Sequence, residues 1–84
     1  MMTTGTERVE ASEPARVLEE MVERQRKKLL HIAREVQPEL TPEDIRNPQD
    51  FPELANDPLF NYEDGLLAGL LSAQAALRAE RNPA

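Results

Sequence analysis

Apolar residues recur at alternating steps of three and four in the first half of the chain, and this period predicts a helix with one apolar face. The positions on that face are Ala15, Leu18, Val22, Gln25, Leu29, Ile32 and Val36. They form a heptad seam, which needs a second helix to cover it. Gln25 is its one polar member, and its side chain could either pair across a bundle and fix the register or extend to solvent.

Residues with strong positional preferences mark the ends of this helix. Ser12 is a favoured N-cap and Pro14 is tolerated in the first turn. Pro38 drives the residue before it out of the helical region. We therefore expect a helix over residues 13–37. Residues 1–11 carry few apolar side chains and should form a flexible tail.

The last third of the chain is apolar or small around most of a helical circumference. One row, the leucine stripe, consists of Leu66, Leu70, Ala73 and Leu77. A second row, the small stripe, consists of Gly65, Gly69, Ser72, Ala76 and Ala79. A helix of this kind is usually buried on several sides. We therefore expect it to pack against the first helix and also against a further partner.

Two N-caps are available for this last helix. Asn61 would start it at position 62, whereas Asp57, followed by Pro58, would start it earlier. We expect a helix of about residues 62–81, ended by the Asn-Pro pair that opens the C-terminal tail, residues 82–84.

A proline-rich connector joins the two helices. Five prolines occur in residues 38–58, and no helix longer than about two turns fits between them. Residues 41–44 and 47–50 each combine a capping residue, a proline and acids, which predicts two short helical turns. The expected anchors of the connector are Phe51, Leu54 and Phe60.

Charge narrows the choice of function. The chain has ten basic and sixteen acidic residues and a formal charge of −6, which disfavours nucleic acid and anionic membranes as partners. The absence of cysteine excludes disulfide and thiolate chemistry. No apolar run approaches the roughly 18 residues of a membrane span. We expect a cytoplasmic protein without membrane association.

Candidate catalytic and metal sites are sparse. His31 and Glu35 have a spacing that can place two ligands on one metal, but a zinc site needs three or four. Ser72 has no base within helical reach, so nucleophilic catalysis has no starting point. We expect no cofactor, no metal and no enzymatic activity.

One basic segment keeps a nucleic-acid-binding regulator open as the alternative function. Its residues are Arg24, Arg26, Lys27, Lys28 and Arg34. They surround the helix instead of sharing one face, and no aromatic residue lies among them to stack on bases. We expect the acids of the connector to pair with this segment.

The sequence thus predicts an all-α protein, an antiparallel two-helix hairpin over residues 12–81 with short helical turns in its connector. A single seam on the first helix covers only one side of the last helix, so the hairpin should form a homodimeric four-helix bundle. The expected function is a non-enzymatic protein-interaction module that binds itself or another helical protein. The expected interface residues are Gly65, Leu66, Gly69, Leu70, Ser72, Ala73, Ala76 and Leu77.

Overall fold

A computed structural model describes the backbone of residues 2–81 and the side chains of residues 13–80. Regular structure in this part of the chain is entirely helical. The elements are α1 (Met2–Val36), two 3-10 turns (Asp44–Arg46 and Pro48–Asp50), α2 (Pro52–Ala55) and α3 (Pro58–Arg81). The predicted all-α class and both short turns of the connector are confirmed.

Helix α1 begins at Met2, so the predicted start at position 13 is wrong. No proline lies between Met2 and Ser12 to break a helix, and propagation adds one hydrogen bond for each residue that is fixed. Pro14 accordingly lies inside the helix instead of in its first turn. The predicted flexibility of residues 1–11 stays a prediction, since their side chains lie outside those described. The predicted tail of residues 82–84 also lies outside the described residues.

The seam of α1 is confirmed. Val22, Leu29 and Ile32 are buried, and Ala15, Leu18, Gln25 and Val36 are partly buried. Ala33, next to the seam, is fully buried. The helix ends at Val36, where Gln37 N still donates to Ala33 O at 2.8 Å before Pro38 stops further turns.

Helix α3 begins at Pro58, four residues before the expected position 62. Asp57 Oδ2 accepts a hydrogen bond from Phe60 N at 2.8 Å, so Asp57 is the N-cap. The side chain of Asn61 instead donates to Ala55 O at 3.0 Å. The earlier of the two candidate starts is therefore the correct one, because an aspartate followed by proline combines a cap with a preset first turn.

The face of α3 that meets α1 coincides with neither stripe, although it shares Leu70 and Leu77 with the leucine stripe. Its residues are Phe60, Glu63 and Leu67, which are buried, followed by Leu70, Gln74 and Leu77, which are partly buried. They are spaced by three and four, but two of them are polar. Glu63 and Gln74 interrupt the apolar pattern, which explains why sequence reasoning placed Leu67 on neither stripe.

The two long helices are antiparallel neighbours. Gln25, late in α1, contacts Glu63, early in α3. Ala15, much earlier in α1, lines the same hollow as Leu77, near the end of α3. The two helices therefore run in opposite directions, as the predicted hairpin requires.

The connector closes one end of the hairpin. Leu40, Leu54 and Phe60 are each at most 1% exposed, and Phe51 packs against them while remaining partly exposed. Thr41 N donates to Asp44 Oδ2 at 3.0 Å and Asp44 N donates to Thr41 Oγ1 at 3.2 Å. This reciprocal pair is a capping box, which orders the first turn.

Burial is concentrated at the connector end. The described part of α1 has no buried residue before Val22, and that of α3 has none after Leu67. The molecule measures 54 × 23 × 18 Å. At the opposite end of the hairpin, the described residues form two helices, α1 and α3, with no third layer. We call it the open end.

Candidate protein-interaction surface

A polar pair crosses the contact between α1 and α3. Gln25 Nε2 donates to the backbone oxygen of Glu63 and to its Oε1 atom, each at 2.8 Å. Glu63 is 5% exposed, so its carboxylate depends on protein partners more than on water. Gln25 thus pairs across the hairpin of one chain, and a slip of either helix by one turn would separate the two groups.

Lys28 completes this arrangement at the edge of the contact. Its Nζ atom lies 3.1 Å from Glu63 Oε2, and its side chain is about half exposed. The hydrogen bond from Gln25 lowers the pKa of Glu63, burial acts in the opposite direction, and Lys28 lowers it further. The ion pair marks one long side of the hairpin, which we call the Lys28 side.

The leucine stripe of α3 runs along the Lys28 side. Leu66, Leu70, Ala73 and Leu77 follow Glu63 at steps of three and four, which keep residues on one helical face. Leu70 and Leu77 are partly buried, whereas Ala73 is exposed and Leu66 is 44% exposed. The stripe therefore borders the contact with α1 and leaves apolar surface uncovered.

Helix α1 adds two large apolar side chains to the same side. Val17 and Met21 precede Lys28 by eleven and seven residues, which correspond to about three and two full helical turns. Both side chains therefore point within about 20° of the direction of Lys28. They are 44% and 38% exposed, and the antiparallel register places them level with the leucine stripe. The combined surface, here named the apolar strip, consists of Val17, Met21, Leu66, Leu70, Ala73 and Leu77.

Sequence reasoning missed the part that α1 plays in this surface. Val17 and Met21 are absent from the expected interface residues, all of which lie on the last helix. Their spacing of four residues, one turn apart on the flank of the seam, was the signal that could have joined them.

The small stripe is exposed and faces away from α1. All five of its members, Gly65, Gly69, Ser72, Ala76 and Ala79, are exposed. A Cβ atom added at Gly65 or Gly69 would meet no atom within 4 Å. Nothing within the hairpin therefore requires small residues there. The eight predicted interface residues lie on two adjoining faces of α3, six of them exposed, with Leu70 and Leu77 partly buried.

The basic segment of α1 does not form a continuous surface. Lys28 is paired with Glu63, and Arg34 Nε donates to Leu40 O at 2.8 Å. Among the described residues, Glu63 is the one connector-side acid that forms an ion pair with this segment, so the expected general pairing is wrong. Asp44 and Asp57 instead accept hydrogen bonds from backbone N–H groups of the connector and of α3.

The described residues contain no group of three His, Cys, Asp or Glu side chains that could hold a metal ion. His31 Nε2 lies 3.3 Å from Glu35 Oε2, and both side chains are largely exposed. None of the described helices combines the length and the apolar character needed to cross a membrane.

Comparisons with known proteins give no function for this chain. No family model matches the chain, and no match is found among the curated proteins or the solved structures that were searched.

Proposed function

We propose that this protein is a non-enzymatic interaction module whose apolar strip packs against a helical partner. We propose further that this partner is a second copy of the chain. The observation that carries this proposal is the exposure of Val17, Met21 and Leu66 on one side of the hairpin. Exposed apolar patches mark partner surfaces. Two hairpins joined through their strips would form a four-helix bundle.

The strip suits a two-fold contact. It contains no charged residue, so two copies could meet without opposing like charges. It also extends to the open end, where Leu70 and Leu77 are only partly buried. A second hairpin would supply the missing layer and turn these leucines into core residues.

The available apolar surface predicts a weak dimer. Full burial of a Val, Leu or Met side chain stabilises by roughly 1.5–3 kcal/mol. Val17, Met21 and Leu66 are each roughly half exposed, so these three side chains in each of two copies offer roughly 5–9 kcal/mol in total. The cost of lost freedom of movement is about 4–15 kcal/mol. We expect reversible association at micromolar or higher concentration.

Sedimentation measurements test this proposal. Between a few micromolar and several hundred micromolar, the mass should rise from that of one chain toward that of two. Leu66→Lys should shift the transition to higher concentration, because it places a charge in the contact. Leu71→Lys is the matched control, since Leu71 is a similarly exposed leucine of α3 that lies outside the strip. A single-chain mass at every concentration would rule out the homodimer.

A substitution in the small stripe distinguishes which of the two exposed faces of α3 forms the contact. Gly69→Leu fits the hairpin, because a Cβ there meets nothing within 4 Å, and it improves helix propensity by up to about 1 kcal/mol. If the apolar strip is the contact, this variant should associate at least as tightly as the natural sequence, because the added helix propensity lies outside the contact. A loss of association confined to Gly69→Leu would move the contact to the small stripe.

The alternative of a nucleic-acid-binding regulator has weaker support. Lys28 and Arg34 already serve the hairpin through Glu63 and Leu40, and the chain carries a formal charge of −6. Binding through phosphate contacts would strengthen steeply as salt is lowered. We expect no binding of DNA or RNA even at low salt.

A further inference from the structure

A cleft of about 400 Å³ opens on the side of the hairpin opposite the Lys28 side. Residues of α1, α3 and the connector line it. Leu30, Pro42, Ile45, Pro48, Leu67 and Leu71 form most of its apolar lining. The cleft has the size and the apolar character of sites that bind small molecules.

Charged side chains at this cleft are mostly basic. Arg26, Lys27 and Arg46 line it, together with the acids Glu23 and Asp64. Within the described part of the chain, no ion pair joins any of these five side chains to another residue. Their sum is one positive charge in a chain with a formal charge of −6. The cleft thus combines an aliphatic floor with cationic donors that the fold itself does not use.

We propose that this cleft binds a small amphiphile, an aliphatic chain that ends in a carboxylate. The chain would lie against Leu30 and Leu71, and the carboxylate would accept hydrogen bonds from the basic side chains, above all Arg46 and Arg26. Such charge-assisted bonds are stronger than neutral ones. The five charged side chains sum to one positive charge, which matches a single carboxylate.

The dimensions favour a small ligand over a protein segment. The lining covers residues 23–30 of α1 and 64–71 of α3, which is roughly 10 Å along each helix axis. A stable protein interface buries about 800 Å² on each partner, far more than this opening offers. A medium-length aliphatic chain, in contrast, fits within two helical turns.

Decanoate is the probe for the first experiment, and decyltrimethylammonium, with the same chain and the opposite charge, is its control. Both are titrated into the full chain well below the concentration at which they form micelles, and the amide resonances are followed by NMR. We expect saturable binding of decanoate, with shifts centred on Leu30, Ile45 and Leu71, at least about tenfold tighter than binding of the cation. Equal affinity for both ions, or no saturation, would overturn the proposal.

Matched variants locate the site. Leu71→Phe narrows the cleft and should weaken decanoate binding at least about tenfold, because it displaces methylene groups from the floor. Leu66→Phe makes the same change at a similarly exposed leucine of α3 outside the cleft and should leave binding unchanged. Equal effects of the two variants would show that decanoate binds elsewhere.

The same NMR titrations test two further points: whether a basic side chain contributes to binding, and whether a second copy of the chain occupies the cleft. Arg46→Gln should weaken decanoate binding about threefold or more, while Arg24→Gln, outside the cleft, should not. Circular dichroism confirms that each variant folds. If shifts at Leu30 and Leu71 appear on raising protein concentration alone, a second copy of the chain occupies the cleft and the proposal fails.

Discussion

The buried carboxylate of Glu63 makes the stability of the hairpin depend on pH. Its pKa is lowered from 4.5 in the folded chain, so the unfolded chain binds this proton more readily. The resulting stabilisation is fully present above the unfolded pKa and is lost as pH falls through the folded pKa. We expect the free energy of unfolding, from urea titrations, to decrease more from about pH 6 to about pH 3 in the natural sequence than in Glu63→Gln.

Glu39→Gln is the control for this measurement, because Glu39 is exposed and forms no ion pair with another described residue. Its acid sensitivity should match that of the natural sequence. An identical pH dependence for all three proteins would mean that Glu63 does not contribute in the expected way.

Two aromatic residues of the connector region should differ in their contribution to stability. Phe60 is fully buried, so Phe60→Ala should lower the free energy of unfolding by about 3–5 kcal/mol. Phe51 is partly exposed, so Phe51→Ala should cost clearly less. Leu59→Ala, at a position 51% exposed, is the control and should cost least in the same urea titrations. A larger loss of unfolding free energy for Phe51→Ala than for Phe60→Ala would contradict the burial of these two rings.

Gln25 and Glu63 differ in how far their roles could be predicted from the sequence. Gln25 interrupts an otherwise apolar seam, so the sequence indicated either a polar partner or extension to solvent, and the structure shows the partner. Glu63 could not be foreseen, because it is one of eight acids between Pro38 and Asp64. Its burial follows from the start of α3 at Pro58, which places it in line with Phe60 and Leu67.

At the scale of elements, the N-cap of α3 should contribute measurably to stability. Asp57 accepts the hydrogen bond of Phe60 N, and removal of such a cap costs typically about 1 kcal/mol. We expect Asp57→Ala to lower the free energy of unfolding by about this amount and Asp57→Asn to restore most of it, as measured with urea. If Asn61→Ala instead had the larger effect, the helix would start at the later cap.

The elements were predictable to different extents. Prolines and capping residues determine the two turns and the end of α1 locally, so the sequence located them well. The sequence left open which face of α3 meets α1, because small and apolar residues surround this helix. The choice among its faces depends on contacts with α1, and Leu67 lies in the contact while Leu66 remains exposed.

At the scale of the whole molecule, the one-sided core predicts a gradient of local stability. Residues 29–33 of α1 and 60–67 of α3 include most of the buried side chains, so their amides should exchange with solvent only on global unfolding. Residues 15–20 and 72–79 contain no buried side chain and should exchange through local opening. Hydrogen-exchange mass spectrometry or NMR measures this difference, and uniform protection along both helices would contradict it.

This gradient also bears on the proposed assembly, because much of the apolar strip lies where the hairpin is expected to open first. A partner that requires the ordered helices binds only the ordered fraction of molecules, so its apparent affinity is reduced by that fraction. Substitutions that favour helix outside the contact, such as Gly69→Ala, would then tighten binding by preorganisation alone. The strength of assembly would be adjustable through the helical order of the open end, independently of the side chains that touch the partner.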